Sequence, residues 1–253
     1  HIQKEKGITY LLITHDLAIN GTLTSGGNST YNVSGSWDNN ATFTANTSTV
    51  TMTAAAGTET IDSTGASTAT FNNLVLGSGA GTAQWNLSSV LDVDGNLTID
   101  YGTLSNGANN ITLAGDLTLN ANGAYTKGAG TFTFDGPDAK TWRDNKGTAS
   151  DMGTVVIDNG AILTKTVNLG SSVAATKVSV AALQTLGLAS GSYTLTLTGS
   201  GTAGSRPFVV TGTLNEGNGT VKFTGTAATH IQAETYWGLN LSPSGAGSPT
   251  YTL

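Results

Sequence analysis

Apolar and polar residues alternate along most of this chain, and in two places the alternation recurs in the same order. Leu91-Asp92-Val93-Asp94-Gly95-Asn96-Leu97-Thr98-Ile99 and Ile111-Thr112-Leu113-Ala114-Gly115-Asp116-Leu117-Thr118-Leu119 both read apolar, polar, apolar, polar or small, Gly, polar, apolar, Thr, apolar. A period of two turns alternate side chains to one face, so each half predicts a short strand, and the glycine between them marks a bend. A repeat of about 20 residues cannot bury a core alone and must stack on its neighbours. The pattern therefore predicts one coil of a β-solenoid. Val93, Leu113 and Phe134 share one register relative to Gly95, Gly115 and Gly136, and are expected to stack in one inward column.

The signature recurs at Leu17, Ile19, Gly21 and Leu23, and its first half returns at Leu195, Leu197 and Gly199. A longer period of about 80–90 residues, or about four coils, lies over the short one. Thr49-Val50-Thr51-Met52, Thr131-Phe132-Thr133-Phe134 and Thr220-Val221-Lys222-Phe223 open three similar blocks. Each block passes through a lone large apolar residue (Ile61, Trp142, Ile231) to a strand: Leu74-Val75-Leu76, Val155-Val156-Ile157 or Leu239-Asn240-Leu241. The expected fold is all-β: a right-handed parallel β-helix of about twelve coils with about 20 residues each, spaced about 4.8 Å apart. Tandem β-sandwich domains, which also string short strands between turns, are the alternative. Residues 1–18 depart from the pattern and read as an atypical first strand or cap, with Ile8, Tyr10 and Leu12 on its apolar face. Residues 19–253 read as one solenoid that stops in mid-pattern at Leu253, leaving an edge suited to association with neighbouring copies.

Composition narrows the function. Ten Lys and Arg are scattered through 253 residues, and the net charge is −6. No basic face exists for a phosphate backbone, which argues against nucleic acid as a partner. The chain has no cysteine, which excludes disulfides, thiol chemistry and Cys-based zinc sites. The apolar run from Ile8 to Ile13 is too short to span a bilayer, so membrane insertion is not expected.

Residues 19–253 resemble bacterial β-strand-repeat surface proteins, the adhesin-like arrays of long secreted chains. Gly35-Ser36-Trp37-Asp38-Asn39-Asn40-Ala41-Thr42-Phe43-Thr44, Phe71-Asn72-Asn73-Leu74-Val75-Leu76 and the two matching coils carry that resemblance. It implies an extracellular or cell-surface location and a structural or adhesive role, with surface glycans or further copies of the chain as partners. Its motifs imply repeat structure and no chemistry. Residues 1–18, His1-Ile2-Gln3-Lys4-Glu5-Lys6-Gly7-Ile8-Thr9-Tyr10-Leu11-Leu12-Ile13-Thr14-His15-Asp16-Leu17-Ala18, resemble the switch-histidine segment of ABC-transporter ATPases, in which the residue matching His15 senses the γ-phosphate. The chain holds no G-x-x-x-x-G-K-[ST] loop to cradle phosphates, so an ATPase is not expected.

No arrangement in the sequence demands catalysis or a cofactor. Asp92 and Asp94 alternate on an outward face with Asp100 nearby, a spacing that could serve glycoside hydrolysis. No basic or aromatic group accompanies them in sequence. Asp92-Val93-Asp94-Gly95-Asn96 begins like a calcium loop, but Thr103 stands where a bidentate Glu is needed. His1, His15 and His230 lie far apart, and His230 is expected to point outward. Lys140, Arg143, Asp144 and Lys146 form the most charged segment and a possible binding loop on a rigid scaffold. Trp142 within it aligns with Ile61 and Ile231, which places that residue in the core. Outward threonines suggest an ice-binding solenoid as an alternative, with Thr24, Thr98 and Thr118 in one rank. A carbohydrate-binding or carbohydrate-active β-helix is a second alternative. Sequons such as Asn28, Asn46, Asn96 and Asn218 follow from composition and lie in turns that would accept sugar.

Overall fold

Parallel strands stack as a β-solenoid of about 10 turns with roughly 22 residues per turn, and no helix is present among the described residues. The computed structural model describes residues 10–64, 70–158, 160, 163–188, 191–245 and 248–253. The turns are fewer and longer than the expected twelve of about 20 residues. Loops lengthen individual turns, the widest separating Val178 from its partner Phe208. The chain divides into two units, His1–Gly130 and Thr131–Leu253.

In the first unit, strands Tyr10–Ile13, Thr30–Val33, Thr49–Met52 and Asn73–Leu76 stack in parallel. The starts of Leu97–Ser105 and Leu117–Thr126 continue the ladder. Their inward residues form columns: Tyr31, Val50, Leu74, Leu97 and Leu117 in one, and Val33, Met52, Leu76, Ile99 and Leu119 in the next. All ten are buried. Each fully buried Leu or Val side chain contributes about 1.5–3 kcal/mol. Val93 faces Leu113 in a second wall, as their shared register predicts, while Phe134 faces Ile157 within the second unit. An aromatic cluster fills a corner of the first unit, with the Trp37 ring 4.9 Å from both Phe43 and Phe71.

The first strand runs in the opposite phase to the expected one. Tyr10 and Leu12 face out and are exposed, while Leu11 and Ile13 pair with the inward residues Tyr31 and Val33. The ladder of the second turn sets that phase, because a parallel partner must match its alternation. Ile8, the remaining member of the expected apolar face, lies outside the described residues.

The three blocks of the longer period are the same local structure built three times. Thr49–Met52 pairs with Asn73–Leu76, Thr131–Phe134 with Thr154–Ile157, and Thr220–Phe223 with Gly238–Leu241. Between the paired strands Ile61, Trp142 and Ile231 are each buried. A block is thus one full turn, in which a strand leaves the wall, buries the large side chain at the shared position and returns on top of itself.

Glycine in the repeat answers to stacking rather than to a special backbone angle. A Cβ on Gly95 would lie 2.5 Å from the Asn72 carbonyl oxygen, and one on Gly115 would lie 2.0 Å from that of Gly95. Successive corners approach so closely that only hydrogen fits between them.

Candidate functional site

The charged segment forms the strand Lys140–Asp144 and the loop after it. Trp142 points inward and is 1% exposed, its ring 5.9 Å from Phe134, which confirms its place in the core. Asp144 is also buried. Its Oδ1 accepts the Lys146 backbone N–H at 2.9 Å and its Oδ2 accepts the Ser150 N–H at 2.7 Å. The carboxylate thus closes the loop on itself and is not presented to solvent. Lys146 Nζ donates to Ser150 Oγ at 3.3 Å. Arg143 is exposed and Lys140 half-buried. What the segment presents most openly to solvent is the Arg143 side chain. Asp144→Ala is expected to leave two loop N–H groups without acceptors and to cost the second unit about 1–3 kcal/mol in urea denaturation. A loss below a few tenths would show that water replaces the carboxylate.

The aspartates of the matching coils are placed as expected, outward on either side of buried Val93. Asp92 Oδ1 accepts the Thr112 hydroxyl at 2.7 Å, and Asp100 Oδ1 accepts Asn120 Nδ2 at 2.7 Å. Both bonds run to the next turn. The Asp94 carboxyl is raised above its ordinary range, first by desolvation and then by the charge of Asp92. No group of three or more His, Cys, Asp or Glu that could hold a metal occurs among the described residues.

Other side chains join turns in the same way. Asn73 Oδ1 accepts the Asn96 N–H, and Asn96 Oδ1 accepts the Asp116 N–H, each at 2.9 Å. In the second unit Asp151 receives the Thr176 hydroxyl at 3.1 Å, the hydroxyl of Thr198 and the Gly153 N–H at 2.9 Å. Asp151 draws no notice in the sequence because its partners sit one and two turns away.

The threonine rank differs from the expected one. Thr98 faces Thr118, but Thr24 faces Thr44 in a separate sheet. The rank containing Thr98 runs Asn32, Thr51, Val75, Thr98, Thr118. Thr166, Thr185 and Thr213 form an all-threonine rank in the second unit. Asp92 interrupts Thr70 and Thr112, and Lys177 follows Thr131 and Thr154. Parallel register, not composition, decides which threonines meet.

His230 is half-buried between the buried residues Thr229 and Ile231, consistent with an outward ring. His15 is exposed, its Nδ1 3.2 Å from Thr14 Oγ1. His1 lies outside the described residues.

Lys165 is a buried cation that no motif in the sequence marks. Lys165 opens the strand Lys165–Leu169 in phase with Val167 and Leu169 and is 2% exposed. Its inward phase was legible in Lys165-Thr166-Val167-Asn168-Leu169, where a lysine occupies the first apolar position. No family model, curated protein or solved structure matches the chain.

Proposed function

We propose that this chain is a structural or adhesive repeat region of a secreted bacterial surface protein and that it performs no catalysis. The observation that carries this reading is where the polar side chains are used. Asp92, Asp100, Asn73, Asn96 and Asp151 all bond across to a neighbouring turn, and Asp144 closes its own loop. Groups engaged in holding turns together favour a scaffold over a reaction centre, where acid and base must converge on a substrate. Surface glycans are the proposed ligand class, with the Arg143 loop as their point of contact. Neighbouring copies are a second class of partner. Trp237, Leu239 and Leu241 are exposed, and Leu239 and Leu241 stand over buried Val221 and Phe223. An ice-binding role would need a broad, flat, uncharged rank, and the interruptions at Asn32, Val75, Asp92 and Lys177 weigh against it.

Two measurements test the reading. Antibody raised against the chain is expected to label intact cells that produce it, and label that appears only after lysis would sink the surface assignment. The purified chain is expected to release no reducing ends from a panel of acidic and neutral polysaccharides. Turnover that disappears in Asp92→Ala or Asp94→Ala would overturn the non-catalytic assignment.

A further inference from the structure

In the second unit the Lys165 ammonium lies over the Phe134 ring, 5.9 Å from its centroid. Phe134 in turn packs against Phe132 at 5.2 Å and Trp142 at 5.9 Å. Among the described residues Lys165 Nζ has no hydrogen-bond partner. The surroundings do not supply a full set of acceptors. Gln184–Gly187, whose Gln184 pairs with Lys165, contains no titratable group. Lys140–Asp144 on the other side contributes the like charge of Lys140, an outward Arg143, and Asp144, whose oxygens are taken by Lys146 and Ser150. Asp135 and Asp158 follow two paired strands of the adjoining wall and act on the ammonium electrostatically. The Phe134 face attracts the cation weakly, but a buried protonated amine short of hydrogen bonds still costs more than a neutral one, because burial strips its water without replacing it.

We propose that Lys165 makes the turns around it a pH-responsive weak point: protonated, it favours opening of the second unit, and deprotonated, it lets the core close. The titration of the amine agrees with the geometry. Burial lowers its pKa from 10.5 to about 8; Asp135 opposes the shift, Lys140 adds to it and Asp158 opposes it. Below about 8 both folded and unfolded chains hold the proton, and the folded state bears the full cost. Above that value the folded unit sheds the proton while the unfolded chain keeps it until about 10.5, so stability rises with pH across this window. Between about pH 7 and pH 9.5 the unfolding equilibrium constant should fall about thirtyfold on account of this one group.

The test compares urea unfolding of the full chain and of Lys165→Met at those two pH values, alongside an NMR titration of lysine side chains labelled at the ε-carbon. The expected result is a pH-linked gain of about thirtyfold in the wild type beyond that in the variant. One lysine resonance should titrate with a midpoint near 8 and be missing from Lys165→Met. Parallel pH profiles of the two proteins would overturn the proposal, as would a spectrum in which every lysine stays protonated at pH 9.5. Should Lys165→Met fail to fold, Lys165→Gln replaces it, and the midpoint measured in the wild type decides the matter by itself.

Discussion

Gly115→Ala is expected to destabilise the first unit by about 3 kcal/mol or more, whereas Gly21→Ala should be close to neutral. An added Cβ at position 115 would lie 2.0 Å from the Gly95 oxygen and 2.3 Å from the Gly95 carbon, while nothing lies within 4 Å of one at position 21. Both obstacles at position 115 are backbone, so no side chain can swing aside. Relief requires the two corners to part, and the ladder Leu91–Val93 to Ile111–Leu113 beside them holds those turns in register. Urea denaturation followed by tryptophan fluorescence measures the loss, since Trp37 and Trp85 report on this unit. Equal losses in the two variants would mean that helical or strand propensity, not stacking distance, governs these glycines.

Trp85→Ala is expected to cost about 3–5 kcal/mol, the range for emptying an aromatic core position. Trp85 is fully buried, and its neighbours are set around it. Gly102 has a φ of 75°, and a Cβ there would meet the Ala83 oxygen at 2.3 Å and the indole Cζ3 at 2.8 Å. The backbone has been drawn in to the ring, so the wall cannot easily collapse into the space left behind. Trp85→Phe should cost less than half as much. Its indole N–H has no hydrogen-bond partner among the described residues, so the smaller ring loses packing but no hydrogen bond. Thermal and urea unfolding of the two variants check the ordering. A loss in Trp85→Phe equal to that in Trp85→Ala would show that the indole N–H is bonded after all, for instance to a buried water.

The difference between these two positions also marks how far the sequence could be read. Trp85 is recognisable as a core residue because it alternates with Leu87, and Trp142 because it aligns with Ile61 and Ile231 in the longer period. Gly115 is recognisable as a corner, yet the sequence suggests a bend there, and the cause is the carbonyl of Gly95 one turn below. The charged segment 140–146 reads as a binding loop because its charges cluster in the chain. Only the folded loop shows that Asp144 is turned inward to hold the N–H groups of Lys146 and Ser150. Lys165 is hidden for the opposite reason: a single lysine in an alternating strand looks like an outward residue unless its phase is counted.

Period-two alternation determined by itself that this protein is all-β, and the recurring glycine in a repeat of about 20 residues favoured stacked turns over tandem sandwiches, a choice the parallel pairing settled. Those properties are local: each strand's inward face is written in its own residues, and a short repeat has nowhere to bury that face except on the next turn. The longer period located Ile61, Trp142 and Ile231 as equivalent core positions for the same reason. Register between turns was left to the tertiary structure. It set the phase of Tyr10–Ile13, separated Thr24 from Thr98 and Thr118, and brought Asp151 to Thr176 and Thr198. Loops of unequal length shift each turn against the last, and a one-residue shift sends a side chain to the opposite face. Pairings across turns therefore follow from the sum of every loop before them, which no single stretch of sequence records.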